Sequence, residues 1–92
     1  MTGSPEVFAE LIGRNVVVDA ASQYVYVGRL TRVEEQFLLL EDADVHDLRD
    51  TSTTRELYVL DSKRHGIRAN RRRVWIRRDE LVSISLLDDV ME

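Results

Sequence analysis

Arginine side chains in the last third of the chain have the type and spacing to bind phosphate groups. Eight bases and no acid lie between Lys63 and Arg78, and three of these bases are consecutive at 71–73. A guanidinium group forms paired hydrogen bonds with phosphate oxygens and stacks on flat rings. Trp75 follows closely, and an indole ring can stack on an unpaired base. This pattern is compatible with RNA binding, but the alternation of the strand favours packing of Trp75 on the helix or on a neighbouring subunit.

The remaining charges argue against a general nucleic-acid binder. The net charge is −4, and nine acids but only two bases lie between Glu34 and Asp61. A net negative protein repels a polyanion at long range. The basic segment could therefore bind an anion locally, contact the acidic segment of another subunit, or solvate the edge of a strand.

The residue pattern supports no other kind of site. No cysteine is present, which excludes disulfides, thiolate metal ligands and cysteine nucleophiles. His46 and His65 have no second ligand at a suitable spacing, so no metal site is predicted. The following aspartates lack the glycine and final glutamate of a calcium loop: Asp42, Asp44, Asp47 and Asp50. No glycine-rich phosphate loop or nucleophile–base pair is visible, so we expect no enzyme activity, no cofactor and no small-molecule substrate.

The length of 92 residues allows one small domain, which we place over residues 1–92. A domain of this size buries a modest share of its surface and often depends on a partner subunit. No apolar run reaches the ~20 residues that span a bilayer. No signal peptide is visible, and the lack of cysteine fits a reducing compartment. The sequence therefore predicts a cytoplasmic protein with no membrane partner.

A short helix is predicted at about residues 4–12. Ser4 is a suitable N-cap residue, and Pro5 fits the first helical position. Four apolar residues follow at helical spacing: Val7, Phe8, Leu11 and Ile12. Gly13 provides a stop. The apolar stripe must pack on the rest of the domain, because so short a helix is unstable alone.

Five strands are predicted after the helix, at about 15–19, 24–33, 37–44, 67–77 and 81–87. Gly28 indicates a bend or a close backbone approach inside the second strand. A polar loop is predicted at about 45–56, a strand extension at 57–60, and a frayed acidic tail at 88–92. Short sequential strands with one bent member favour a small antiparallel barrel. The strand pattern alone does not distinguish an Sm-like barrel from an SH3-like or OB barrel.

Four segments, in the right order after the helix, resemble the Sm/Sm-like family. They cover Leu11–Val18, Tyr26–Leu30, Leu40–Ala43 and Ile76–Ile84, within a resemblance that extends over about residues 7–87. The last segment resembles the family pattern Ile-Arg-Gly-Asn/Asp-Asn-Val-x-x-Ile. The resemblance implies a five-stranded, SH3-like antiparallel barrel with an N-terminal helix.

The resemblance also implies an RNA site made by two turns. In the family, an Asn and an Asp of the first turn hold a base and an apolar side chain stacks on it; here no Asn occupies that position in either possible register. Arg77 matches the family arginine, and Arg78 replaces the family glycine. The candidate RNA-binding residues are Phe37, Leu38, Arg77 and Arg78. We expect weak base specificity, because leucine and phenylalanine cannot read a base edge by hydrogen bonding.

Self-association is the second implication of the resemblance. In the family, the fifth strand of one subunit pairs with the fourth strand of the next, and the contact closes into a ring. We expect a homo-oligomer of five to eight subunits whose interface contains Val74, Trp75, Ile76, Leu81, Ser83 and Ser85. Two functions remain open: a ring that binds single-stranded RNA, and a ring or interaction module that has lost RNA binding.

Overall fold

Five strands and two α-helices form the fold in the computed structural model, which describes residues 6–50 and 52–92. The helices are α1 (Glu6–Ala9) and α2 (Arg55–His65), and the strands are β1 (Asn15–Ala20), β2 (Tyr24–Val33), β3 (Phe37–Asp47), β4 (Arg71–Arg77) and β5 (Leu81–Leu86). Single 3₁₀ turns span Leu48–Asp50, Arg78–Glu80 and Leu87–Asp89. The predicted mostly-β class with a short N-terminal helix is confirmed. The predicted start of that helix, Ser4 and Pro5, lies outside the described residues, and α1 ends earlier than residue 12.

All five strands join one sheet in the order β4-β3-β2-β1-β5, and every neighbouring pair is antiparallel. β4 and β5 each have one partner strand, so the sheet does not close into a barrel. An open strand edge presents unpaired N–H and C=O groups to its surroundings. β4 and β5 therefore each leave one edge free.

Gly28 lets β2 approach β3 closely where their pairing is irregular. A Cβ atom on Gly28 would lie 2.7 Å from Ala43 Cβ and 2.9 Å from Ala43 Cα, well inside van der Waals contact. The β2–β3 register shifts between Val27 and Arg29. Asp42 opposite this point has φ +49°, a conformation that aspartate tolerates better than most residues. The predicted close approach at Gly28 is therefore confirmed, and the extra residue of the irregular pairing lies in β3.

The first core lies on one face of the sheet and is closed by α1. Its buried residues are Phe8, Val16, Val18, Leu30, Leu38, Leu40, Ala43 and Ile76. Alternate residues of β1 face this core, as the two-residue period of a strand requires. Phe8 and Leu11 of the predicted helical stripe pack here, whereas Val7 and Ile12 stay exposed.

The second core lies on the opposite face and is not anticipated by the sequence patterns. Its buried residues are Val17, Val25, Val27, Val59 and Leu87. Val59 comes from α2, which therefore covers the outer side of β1 and β2. The sheet is buried on both faces in this region, which explains the run of three valines in β1.

Helix α2 replaces the strand extension predicted at 57–60, which is wrong, and it takes up the last two residues of the polar loop predicted at 45–56, which is shorter than predicted. Its apolar residues at 57–60 are consecutive and do not repeat at helical spacing, so the pattern favours a strand. The helix ends are nevertheless marked in the sequence. Thr54 Oγ1 accepts a hydrogen bond from the Leu57 N–H at 3.2 Å, and Gly66, at φ +93°, donates its N–H to the Ser62 carbonyl at 2.9 Å. Neither helix in the described ranges is long and apolar enough to cross a membrane.

Strand ends and the C-terminal tail also differ from prediction. β3 continues through residues 45–47, because their backbone groups pair with residues 24–26 of β2. β4 begins at Arg71 instead of residue 67. The acidic tail is docked rather than frayed, since the Lys63 ammonium group donates to the carbonyl oxygens of Asp88 and Val90 and Arg64 pairs with Glu92 at 2.7 Å.

Tyr58 ties α2 to β3. Its hydroxyl group donates to Asp44 Oδ2 at 2.5 Å, and its ring stacks on His46 with centroids 3.9 Å apart. Burial, followed by the hydrogen bond to Asp44, raises the pKa of the Tyr58 hydroxyl above its ordinary value of 10.0. The folded protein therefore favours the neutral phenol.

Substitution Gly28→Ala should destabilise the protein by about 1–3 kcal/mol, because the added methyl group overlaps Ala43. Urea denaturation measures the loss. In an Ala43→Gly background the cost should be smaller, because the nearest clashing atom is gone, while the contact with the Cα atom remains. An equal cost in both backgrounds would show that the close approach is not the cause.

Stability should fall above about pH 10, because a raised folded-state pKa makes ionisation of Tyr58 unfavourable in the folded protein. The stabilisation is complete below the unfolded pKa and is lost as pH rises towards the folded one. Tyr58→Phe should cost about 1 kcal/mol at neutral pH and flatten the alkaline fall. Urea denaturation between pH 8 and 11 tests this, and identical pH dependence in both proteins would refute it.

Candidate nucleic-acid interface

The pairing of β3 with β4 brings together the two turns predicted to form the site. Phe37 lies opposite Arg77 in the register of these strands. The backbone N–H of Arg78 donates to the Gln36 carbonyl at 2.8 Å. The β2–β3 turn and the β4–β5 turn are therefore neighbours, although about forty residues of chain separate them.

A cleft of about 580 Å³ lies between these turns. It is lined by Glu35, Gln36, Phe37, Arg77, Arg78 and Asp79. Three of the four predicted RNA-binding residues line it. The lining combines an aromatic ring, an amide and two charges of each sign, so the cleft is suited to a polar ligand with a flat group.

Phe37 offers the accessible ring of the site. Its side chain is 39% exposed although it begins a strand whose next three residues are buried. The ring meets Trp75 edge-on, with centroids 6.3 Å apart and planes at 85°. A second depression of about 490 Å³ lies beside it, lined by Arg32, Glu34, Phe37 and Trp75. This geometry supports Phe37 as a stacking surface for a base.

Arg77 projects into solvent with a carboxylate partner. Its Nη2 atom donates to Asp79 Oδ2 at 2.6 Å, and both side chains are 63% exposed. An exposed ion pair contributes little stability, commonly 0–1 kcal/mol. The guanidinium group can therefore exchange or share this partner with a phosphate at low cost.

Arg78 turns towards the protein rather than the cleft opening. Its Nη1 atom donates to the carbonyl oxygens of Glu34 and Glu35 at 2.9 and 3.2 Å, and its guanidinium carbon lies 5.0 Å from the centre of the Phe8 ring. These contacts hold the β2–β3 turn against α1. An RNA contact by Arg78 stays a prediction, whereas its role in positioning the turn is visible in the structure.

The glycine of the family pattern is not required at position 78. Among the described residues other than glycine, only Asp42 has a positive φ, so Arg78 has an ordinary backbone conformation. A side chain is tolerated there because it lies along the turn and binds the turn's own carbonyl groups.

The prediction that Leu38 contacts RNA is wrong. Its side chain is completely buried in the first core, because the alternation of β3 turns it away from Phe37. It cannot stack on a base, and its contribution to the site is limited to supporting the strand.

Gln36 is a site residue that the sequence reasoning missed. Its exposed side chain lines the cleft one position before Phe37. A carboxamide both donates and accepts hydrogen bonds, as an asparagine does. The family pattern has an Asn in this turn, and Gln36 carries the same amide group directly before Phe37. That amide is the feature of the sequence that could have identified Gln36.

The predicted interface residues divide into two groups. Val74, Ile76 and Leu81 pack in or against the first core of their own subunit, so only their backbone edges are free for a partner. Trp75 is 46% exposed on the other face of β4, with the Arg32 guanidinium 5.6 Å from its ring centre.

On β5, Ser83 and Ser85 are exposed, and Ser83 donates to Asp19 at 2.9 Å. Val82 is 68% exposed and belongs to the same edge, although it was not predicted.

Metal ligands do not gather in the part of the chain that the structure describes. No group of three histidine, cysteine, aspartate or glutamate side chains is placed to hold an ion there. Several acidic side chains are instead paired with arginines, as in Asp42–Arg29 at 3.0 Å and Asp19–Arg55 at 2.7 Å.

The fold is similar to that of a solved Sm protein. A Pyrococcus abyssii Sm protein, solved in complex with a uridine heptamer, matches 88% of this chain and 93% of its own chain with a TM-score of 0.60 and 18% identity. The protein has an Sm-like fold. The resemblance inferred from the four sequence segments is thereby confirmed at the level of the fold, and the cleft lies at the two turns to which the Sm-like pattern assigns the RNA site.

A second solved structure has a similar fold. A chain in the crystal structure of the NatC complex bound to CoA matches with a TM-score of 0.56 and 19% identity, over 91% of this chain and 94% of that chain. No protein-family model and no curated protein sequence matches the chain. At these identities the likeness establishes the Sm-like fold and leaves the function to the residues of the site.

Arg78→Ala should lower the free energy of unfolding by about 1.5–3 kcal/mol, because the charged guanidinium donates to two carbonyl groups. Arg77→Ala is the matched control and should cost less than about 1 kcal/mol, since it removes one exposed ion pair. Urea denaturation of the two variants gives the comparison. Equal losses would contradict the positioning role of Arg78.

Proposed function

We propose that this protein binds single-stranded RNA in the cleft between the β2–β3 and β4–β5 turns, as a non-catalytic homo-oligomer. The observation that carries the proposal is the exposed Phe37 ring directly opposite Arg77 at the mouth of one cleft. A base can stack on the ring while the neighbouring phosphate contacts the guanidinium group. A similar fold occurs in an Sm protein solved with a uridine heptamer, which supports this choice of ligand.

The chemistry of the cleft favours weak base selectivity. Stacking accepts every base, and Gln36 is the one uncharged side chain of the lining that can hydrogen bond to a base edge. Glu35 and Asp79 add negative charge beside the arginines. We therefore expect modest affinity for each site and a steep dependence on salt.

Assembly would compensate for a weak single site. The open edges of β4 and β5 are free to pair with the complementary edges of other copies. Each copy adds one cleft, and linked sites bind a continuous strand far more tightly than one site does. The RNA proposal and the assembly proposal thus support each other.

An assembly module without RNA binding is the second candidate. The observation that favours it is that both arginines of the cleft already have partners, Asp79 for Arg77 and two carbonyl groups for Arg78. The net charge of −4 acts in the same direction. In this case the open edges would be the functional surface.

Fluorescence anisotropy with short uridine-rich and adenine-rich RNAs, at low and moderate salt, should show binding that weakens steeply as salt rises. Phe37→Ala should reduce affinity about tenfold, because a stacked base contributes roughly 1–3 kcal/mol. Arg77→Ala should reduce affinity and flatten the salt dependence. Gln36→Ala should narrow any difference between the two RNAs.

Arg49→Ala is the control, because Arg49 is an exposed arginine that pairs with the largely buried Asp47, at 2.9 Å, away from the cleft. It should bind RNA as the unmodified protein does. Binding that survives Phe37→Ala and Arg77→Ala unchanged would place RNA elsewhere. Oligomers that bind neither RNA even at low salt would establish the second candidate instead.

A further inference from the structure

The two open edges of the sheet carry opposite charges at their far ends. β4 begins with the arginine run Arg71–Arg73, and the 3₁₀ turn after β5 contains the acid pair Asp88–Asp89. All five side chains are exposed. Because β4 and β5 are joined by the turn at 78–80, these charges lie at the ends of the two strands away from that connection.

Neither charge cluster has an ionic partner within the described part of the subunit. Arg71 donates only to the Asn70 carbonyl, and the carboxylates of Asp88 and Asp89 accept no hydrogen bond there. Several other arginines each lie within 4.0 Å of a carboxylate: Arg29, Arg32, Arg49, Arg55, Arg64 and Arg77. Opposite charges are nearby, since Glu41 stands opposite Arg73 in the β3–β4 register and the Lys63 ammonium group donates to the Asp88 carbonyl. The arginine run and the acid pair are thus a cationic and an anionic cluster without a direct ion pair in the described part of the subunit.

We propose that the arginine run of one copy binds the acid pair of the next copy when the β4 edge of the first pairs with the β5 edge of the second. This inference rests on the assembly part of the proposed function and adds the charges that select the partner and the register. Every strand pair in the sheet is antiparallel. Antiparallel addition across the open edges places the start of β4 beside the end of β5, where the acid pair lies.

The lengths and side chains of the two edges fit this arrangement. β4 has seven residues and β5 has six, so the strands can pair along their full length. Ser83 and Ser85 are the exposed polar residues of β5 and are small, so they leave room for the arginine and indole side chains of β4. The charged side chains meet at the rim of this interface. There, opposite charges guide association, and like charges that face each other weaken it.

Charge reversal tests the contact directly. Arg71→Glu/Arg73→Glu should leave the fold intact and raise the concentration needed for assembly about tenfold or more, because two acidic clusters would then face each other. Asp88→Arg/Asp89→Arg should do the same by opposing two basic clusters. Sedimentation velocity over a range of protein concentrations and salt measures assembly, and circular dichroism verifies folding.

Recombining the reversals gives the decisive result. The chain that carries all four substitutions should assemble alone, because its edges are again complementary. A mixture of the two double variants should also assemble, with the two chains alternating. Glu10→Arg/Asp50→Arg is the control for the acid-pair reversal, because it changes the net charge equally on exposed residues outside both clusters, and it should assemble normally.

The possible failures are distinguishable. A wild-type protein that is monomeric at low micromolar concentration and low salt would overturn the proposed assembly, and this inference with it. Wild-type assembly that both reversals leave unchanged would overturn the charge pairing alone. Reversal of the arginines that spares assembly but weakens RNA binding and its salt dependence would assign the arginine run to nucleic acid and overturn the pairing with the acid pair.

Discussion

The close approach of Gly28 to Ala43 is the constraint on which the rest of the structure depends. With 2.7 Å between a hypothetical Cβ and Ala43, only glycine allows β2 and β3 to pair at this separation. The pairing is irregular there, and Ala43 belongs to the first core, to which β1, β2, β3 and β4 all contribute. Phe37 is the first residue of the same strand β3 and lies opposite Arg77. The close approach and the cleft therefore share one strand.

The two arginines of the cleft make different contacts. Arg78 binds the carbonyl groups of Glu34 and Glu35 and keeps the β2–β3 turn in place. Arg77 remains in solvent with an exchangeable aspartate partner. One cation is therefore used for positioning and the other is available for a ligand. Glu35 and Asp79 place negative charge beside both arginines.

How far the sequence could predict the structure is clearest at α2 and Leu38. The consecutive apolar residues 57–60 have no helical period, so periodicity favoured a strand, while Thr54 and Gly66 marked a helix in the same segment. The helix is stable because Val59 packs on β1 and β2, and Tyr58 contacts β3. Such contacts are invisible to local patterns. Leu38 was misassigned because a resemblance aligns positions but does not tell which face of a strand each residue occupies.

The sequence by itself determined the strand periodicity, the glycine at the close approach, the mostly-β class and the two signatures of an Sm-like fold, because these depend on residues near one another in the chain. Only the tertiary structure decided that the sheet has a second core under α2, that Gln36 lines the cleft, and that Arg78 points inwards. It also decided that the unmatched charges of residues 71–73 and 88–89 lie on opposite open edges. These features depend on which distant strands become neighbours, and strand pairing is set by the packing of the whole sheet.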